Sequence, residues 1–307
     1  MTVAEEAGAL EVLLSTYNGG RHLAEQLDSL RAQTYPHMRL SVRDDGSIDC
    51  TVELVRSRLA DFPGSRLDLG PNVGAAQSFL SLLRGVGPAV QFAAFCDQDD
   101  IWAPDKLEVA VGMIRDIAGP ALYCSAVTLV TDGLEAIKTH RRCTRGVSFR
   151  NALVENVATG CTIVLNRAAI DLVNARQPTA LLMHDAWCYL VVSAFGTVVY
   201  DPVPRVCYRV HSANAIGVAP SALREWKRRA SNHRLHGAER TLTAQAQEFR
   251  RLYGGRLELE VRAVLDDFLT GSEPLLRRLR YSLVGAAYRQ RRLDDVVFRL
   301  LYLMKRI

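Results

Sequence analysis

Strand-like and helix-like stretches alternate through the first part of the chain, and this alternation constrains the fold more than any other feature. Leu10–Ser15 is a short apolar run, and Arg39–Val42, Arg66–Leu69 and Val90–Cys96 repeat the pattern. Between them His22–Gln33 places Leu23, Leu27 and Leu30 at helical spacing, Thr51–Leu59 does the same with Val52, Val55 and Leu59, and Ala75–Leu83 reads as a third helix. Short apolar strands separated by helices of about ten residues predict an α/β fold with a mostly parallel sheet, covered on both faces. Beyond residue 120, Ala121–Val130, Ala158–Leu165 and Thr197–Asp201 read as further strands of the same sheet, with helices over Arg167–Ala175 and Ala186–Phe195. From Ser221 the chain becomes Arg-rich and helical. A boundary is therefore expected near residue 220, between an α/β domain over 1–220 and a basic helical region over 221–307.

Charge divides along the same line. The 307 residues sum to +5, but residues 221–307 hold 19 Lys and Arg against 10 Asp and Glu, a net of +9, which leaves residues 1–220 at −4. A basic tail on a mildly acidic body points to an anionic partner for the tail, such as a membrane surface; helices that pack on the α/β domain with their arginines turned outward account for the same charges. Nucleic acid is not expected as a partner of the body. No stretch reaches the roughly 18–20 uninterrupted apolar residues of a spanning helix. Met1–Gly8 carries Glu5 and Glu6 without a basic run, so no secretory signal is expected. The expected location is the cytoplasm, with peripheral attachment at the inner face of the cytoplasmic membrane. Seven cysteines, odd in number and without a C-x-x-C pair, predict reduced thiols used largely as small core residues.

In parallel sheets ligands bind beyond the carboxyl ends of the strands, and polar residues gather at those ends here. Thr16–Tyr17–Asn18 follows the first strand, Arg43–Asp44–Asp45–Gly46–Ser47 the second, Gly70–Pro71–Asn72–Val73–Gly74 the third and Asp97–Gln98–Asp99–Asp100 the fourth. No G-x-G-x-x-G follows a strand and no G-x-x-x-x-G-K-[ST] is present, so phosphates need another device. Three carboxylates within Asp97–Asp100 repel one another unless a cation or hydrogen-bond donors compensate. Hard oxygen ligands suit Mg²⁺ or Mn²⁺; an acidic turn capping a helix near Pro104 accounts for the same residues. Asp44 and Asp45 can accept hydrogen bonds from a pyrimidine or a ribose, with Gly46 permitting the tight turn; an Asx turn is the plainer account. In Met183–His184–Asp185–Ala186–Trp187 a carboxylate precedes a buried helix beside an aromatic, as suits a general base or an N-cap. His184 is a second candidate base, since an unperturbed imidazole titrates near neutrality. Arg209 and His211 share one face of an extended segment and can grip a diphosphate or complete a metal shell; an exposed strand edge explains them equally.

Together these residues resemble the family 2 glycosyltransferases of GT-A fold, and within them the bacterial rhamnosyltransferase-like branch. Leu13–Leu14–Ser15–Thr16–Tyr17–Asn18–Gly19 resembles the family's opening strand and nucleotide-contacting turn. Asp44–Asp45–Gly46–Ser47–Ile48–Asp49 resembles its D-D-G-S-x-D signature, with Arg43 where many members have an apolar residue or an acid. Asp97–Gln98–Asp99–Asp100–Ile101–Trp102 resembles the D-x-D metal motif in the branch's D-Q-D-D-x-W form. His184–Asp185–Ala186–Trp187 resembles its H-D-x-W, and Tyr208–Arg209–Val210–His211 with Asn214 its Y-R-x-H-x-x-N.

The resemblance covers roughly residues 10–218 and implies a GT-A sheet flanked by helices, followed by a C-terminal helical extension. It implies that Thr16, Tyr17 and Asp44 contact the donor nucleotide and that Asp45 supports that turn. Asp97 would contact ribose or the metal, and Asp99, with His211, would ligate Mg²⁺ or Mn²⁺ at the donor phosphates. Arg209 would close over the diphosphate, and Asp185 would deprotonate the acceptor hydroxyl. Trp102, His184 and Trp187 would lie toward the acceptor. The implied activity is inverting, metal-dependent transfer of a sugar, L-rhamnose from a dTDP-sugar or another sugar from a UDP-sugar. The implied acceptor is a hydroxyl of a cell-surface polysaccharide or a lipid-linked glycan.

Two other classes use some of the same features. A sugar-phosphate nucleotidyltransferase also joins an α/β sheet, a divalent metal and paired Asp residues, but needs a Gly- and basic-rich phosphate loop of which Ser15–Arg21 is a poor version. A non-catalytic basic protein binding membrane or nucleic acid would rest on the C-terminal region alone.

Overall fold

The computed structural model describes residues 8–140, 143–210, 242–271 and 274–307. In chain order the strands are β1 (Leu10–Thr16), β2 (Met38–Asp44), β3 (Arg66–Leu69), β4 (Phe92–Cys96), β5 (Ile101–Trp102), β6 (Ala121–Ser125), β7 (Val127–Val130), β8 (Ala136–His140), β9 (Val164–Asn166), β10 (Thr197–Asp201) and β11 (Val206–Arg209). The helices are α1 (Leu23–Arg31), α2 (Thr51–Arg58), α3 (Ala75–Arg84), α4 (Lys106–Ile114), α5 (Phe149–Ala152), α6 (Arg167–Asn174), α7 (His184–Phe195), α8 (Leu242–Tyr253), α9 (Leu259–Gly271), α10 (Leu275–Val284) and α11 (Arg292–Leu303). The described parts of 1–141, 158–175 and 196–210 form one compact unit, and those of 142–157, 176–195 and 211–307 form another. The boundary expected near residue 220 lies outside the described residues, and the two described units interleave along the chain. The cause is aromatic packing: Phe149, Trp187 and Phe195 find partners in Phe249 and Tyr253, at centroid distances of 5.6, 6.2 and 5.5 Å for Phe149–Phe249, Trp187–Phe249 and Phe195–Tyr253.

In the first unit the main sheet runs β10-β6-β9-β4-β1-β2-β3. β1 pairs in parallel with β2 and β4, setting Thr16 beside Asp44 and Leu14 beside Cys96, while β2 sets Asp44 beside Leu69. This register brings the carboxyl ends of four strands level, so the turns that follow them open on one rim. β4 is buried at every residue, as a central strand covered on both faces must be. α1 turns Leu23, Leu27 and Leu30 inward, as their spacing predicts, and α3 sets Phe79 edge-to-face on Phe95 with ring centroids 5.5 Å apart.

Two expected strands are altered. The stretch 121–130 is not one strand, because its two halves find different partners: β6 pairs with β10 and β9, and β7 with β11 and β8. The chain bends there and passes from the main sheet to a second sheet, ordered β5-β11-β7-β8. The stretch 158–165 begins as a turn closed by Thr162 on Thr159; only Val164–Asn166 forms a strand, antiparallel to both β4 and β6.

In the second unit α7 buries eight of its twelve residues, as its nearly continuous apolar sequence requires. α9, α10 and α11 close on Phe268, Tyr281 and Tyr302, with the two tyrosine rings stacked at 4.4 Å. All seven cysteines are free thiols. Among the described residues no helix is long and apolar enough to cross a membrane.

Candidate active site

The turn after β2 is organised by its own carboxylates. One Asp44 oxygen accepts from the Thr16 and Ser47 hydroxyls at 2.9 and 2.6 Å, and the other from the Gly46 and Ser47 N–H groups at 3.1 and 2.8 Å. Gly46 sits at φ +86°, the left-handed region that glycine enters without strain. Asp45 is paired with Arg43 and accepts the Val73 and Gly74 N–H groups at 3.0 and 2.8 Å, which ties the loop after β3 to the turn after β2. Arg43 reaches the same loop, donating to the Pro71 carbonyl at 3.1 Å. Asp49 accepts the Thr51 N–H at 3.1 Å and the Gly20 N–H at 3.1 Å. Thr16, Asp44 and Asp45 are all buried, so they shape the rim from beneath. Tyr17, at 48% exposure, presents its ring at the surface.

Gln98 joins this rim to the acidic turn. Its side-chain amide accepts the Tyr17 N–H at 2.8 Å and donates to the Tyr17 carbonyl at 3.0 Å, the two-point pairing that a strand would offer. Space for that amide exists only because residue 19 is glycine: a Cβ on Gly19 would stand 2.2 Å from the Gln98 oxygen. The sequence places Gln98 in the D-Q-D-D motif but gives its amide no role, since the Tyr17 backbone it pairs with lies 81 positions away in the chain.

Asp97 and Asp99 are half-buried, and Asp100 is fully buried beneath them. One Asp100 oxygen accepts the Arg209 N–H at 3.1 Å, while the other meets no donor in ordinary geometry. Burial, then the neighbouring Asp99 charge, pushes Asp100 up to about 8. Lys106 is buried with it, its ammonium 3.2 Å from the centroid of the Trp102 ring, and burial pulls it down to about 7. Ligand atoms of Asp97, Asp100 and Cys161 lie within 4.8 Å of one another. A buried carboxylate oxygen without a donor, beside a second carboxylate, fits a hard divalent cation. Of the expected ligands Asp97, Asp99 and His211, Asp97 lies in that group, Asp99 does not, and His211 lies outside the described residues.

Arg209 holds this turn in place. The residue is 1% exposed. Its guanidinium donates to the Asp99 carbonyl at 2.9 Å, to the Asp132 carbonyl and to the Glu25 carboxylate. β11 makes this reach available by pairing with β5, which places Val206 opposite Trp102 and Cys207 opposite Ile101. A guanidinium committed to three protein acceptors is a clamp on the acidic turn. The diphosphate contact implied by resemblance would require it to leave them.

In the second unit Asp185 stands in the first turn of α7, half-buried, with a carboxylate oxygen accepting the Ala186 N–H at 2.7 Å. A negative charge is favoured at a helix N-terminus. Trp187, expected toward the acceptor, is buried against Phe249 and Tyr253. Trp102 is likewise buried, under the Lys106 ammonium. Both indoles support the fold at these positions and offer no open face.

His184 is buried, and burial lowers it to about 3, so it is neutral at ordinary pH. That removes its qualification as a base titrating near neutrality and has a consequence for stability. In the unfolded chain the imidazole takes up a proton near pH 6.5, whereas in the folded chain it does so only near 3. Stability is therefore complete above about pH 6.5 and lost as pH falls toward 3, by about 1.4 kcal/mol per pH unit. His184→Gln is expected to flatten this slope, so that between about pH 6.5 and 5 the wild type loses roughly 2 kcal/mol more than the variant in denaturant melts. Parallel pH profiles would refute the assignment.

Comparison with known proteins agrees with this architecture. Residues 11–171 match the sequence model of Glycosyl transferase family 2. The chain is 25% identical over 229 residues, 70% of its length and 77% of the relative's, to dTDP-rhamnosyl transferase RfbG of Shigella flexneri. It is 27% identical over 173 residues, 53% of its length and 62% of the relative's, to UDP-Glc:alpha-D-GlcNAc-diphosphoundecaprenol beta-1,3-glucosyltransferase WfgD of Escherichia coli. Residues 1–349 of S. aureus TarS, solved with UDP-GlcNAc, superimpose with a TM-score of 0.58 over 96% of this chain and 90% of that one at 16% identity, a likeness of fold. With the four-strand rim, the D-D-G-S turn and the D-Q-D-D turn in place on this sheet, the chain belongs to glycosyl transferase family 2 and carries its GT-A fold.

Proposed function

We propose that the protein transfers a sugar from a nucleotide-sugar donor to a hydroxyl of a polysaccharide precursor, with inversion at the anomeric carbon. The observation that carries this reading is the rim itself, where Gln98 stitches the exposed Tyr17 turn to the acidic turn in a chain of this family. Tyr17 offers a ring on which a base can stack, and the turn built on Asp44 and Asp45 frames that position. Asp97 and Asp100, with Asp99 adjacent, would hold a Mg²⁺ or Mn²⁺ ion, which when bound offsets the charge developing on the nucleoside diphosphate. Arg209 fixes the backbone of those residues. Asp185 is the base that takes the proton of the acceptor hydroxyl. One base and no carboxylate assigned as nucleophile imply a single displacement.

For the donor we favour dTDP-rhamnose over a UDP-sugar, supported by the D-Q-D-D-x-W, H-D-x-W and Y-R-x-H motifs and by the name of the Shigella relative. For the acceptor we favour a lipid-linked glycan reached from a membrane surface, supported by the diphosphoundecaprenol named for the Escherichia relative and by the basic C-terminal region. A panel of nucleotide-sugars tests both donor and metal. Nucleoside diphosphate release is expected to be fastest with dTDP-rhamnose, to fall on chelation, to return with Mn²⁺ or Mg²⁺, and to be lost in Asp99→Ala. Release of pyrophosphate from a sugar-1-phosphate and a nucleoside triphosphate would instead establish nucleotidyl transfer.

A further inference from the structure

The helices α10 and α11 carry apolar residues where a soluble helix pair carries charge. Their inner sides are occupied: Tyr281 of α10 and Phe298 and Tyr302 of α11 are buried, and both tyrosines reach Phe268 of α9. The two helices run antiparallel, since Arg278 donates to the Leu303 carbonyl at 2.8 Å while Ser282 donates to the Arg299 carbonyl at 3.0 Å. At 100° per residue, Leu276, Leu279 and Leu283 fall on the side of α10 opposite Tyr281, and Leu293, Val296 and Leu300 on the side of α11 opposite Tyr302. These side chains are exposed, Leu276 at 80%, Leu293 at 77% and Leu283 at 72%. Because both helices point their tyrosines toward α9, both apolar stripes point away from it.

Cations flank the stripes, Arg280 about 100° around α10 from Tyr281 and Arg292 about 80° around α11 from Tyr302. Residues 274–307 hold nine Lys and Arg against two Asp, and six of the nine are exposed, Arg277, Arg292 and Arg306 among them. We infer that this face of α10 and α11 lies in the headgroup region of an anionic bilayer, with the leucines entering the acyl boundary and the arginines pairing with lipid phosphates. The charge selects this occupant over a second copy of the chain, because a two-fold interface would set the same cationic rim against itself. Apolar area and cationic charge are the two contributions that hold interfacial helices at anionic lipid. The inference rests on the reading of a membrane-borne acceptor, but its test does not involve transfer.

Flotation of the full chain with phosphatidylcholine vesicles, with or without phosphatidylglycerol, decides it. Wild type is expected to float with the phosphatidylglycerol vesicles, to stay behind with phosphatidylcholine alone, and to be released by high salt. The triple variant Leu276→Ser, Leu283→Ser, Leu293→Ser is expected to lose vesicle affinity about tenfold or more while keeping the wild-type melting temperature, since the three side chains are exposed. Arg280→Glu with Arg292→Glu should weaken binding to the anionic vesicles in the same way. Asp185→Asn should float like wild type; if it does and transfer is lost, catalysis and docking stand apart. Equal flotation with both lipids, none with either, or a triple variant that binds as wild type does would overturn the inference. So would light scattering that shows a wild-type dimer converted to a monomer by the leucine changes.

Discussion

Asp185→Asn is expected to lower the rate of sugar transfer by about 10²–10⁴-fold, the usual contribution of a positioned general base, without loosening the protein. The asparagine has nearly the shape of aspartate, and its carbonyl oxygen can still accept the Ala186 N–H that the carboxylate accepts at 2.7 Å. Only the capacity to take a proton is removed. The variant should therefore melt with the wild type and bind donor nucleotide equally, and the loss should appear in single-turnover transfer and not in nucleotide affinity. Full transfer by Asp185→Asn would remove the base assignment. His184 could not then inherit it, because burial keeps that imidazole from accepting a proton until about pH 3.

Arg209→Ala is expected to cost about 3 kcal/mol of stability, because it strips a buried side chain from two carbonyls and a carboxylate at once. Its effect on transfer should follow from the same loss. The Asp99 carbonyl, held by the guanidinium at 2.9 Å, would be released, and with it the backbone that sets the spacing of Asp97, Asp99 and Asp100. Metal affinity read by fluorescence titration should fall together with the melting temperature. Arg209→Lys should recover little, since one ammonium cannot span the Asp99 and Asp132 carbonyls and the Glu25 carboxylate that a planar fork reaches. A variant that melts like wild type and loses only donor affinity would return Arg209 to the diphosphate, as the resemblance implies.

The elements around the rim were legible in the sequence because each depends on local periodicity. Leu23, Leu27 and Leu30 can face a sheet only from a helix, and β3 and β10 occupy the ranges expected from their apolar runs. The break at Ala126 was not legible, since it depends on which distant strands lie beside each half, β10 beside β6 and β11 beside β7. The short strand β5 escaped for the same reason. Two residues of Ile101–Trp102 carry no period, and they become a strand only when Val206–Arg209 lies beside them.

What the sequence determined alone is the chemistry available at the rim: carboxylates after the second and fourth strands, an aromatic after the first, and an acid opening a buried helix. Residue type and strand-end position suffice for that, because in a parallel sheet the turns after the strands share one edge. What each of those residues does was decided by tertiary structure. Asp44 is spent on its own turn and on the Thr16 hydroxyl, Asp45 on Arg43 and the N–H groups of the loop after β3, Asp100 is buried, and Trp102 and Trp187 are core. Arg209 clamps the acidic turn because β11 pairs with β5. The reason is desolvation: a buried polar atom needs a partner, and which partner is within reach depends on the packing of segments far apart in the chain.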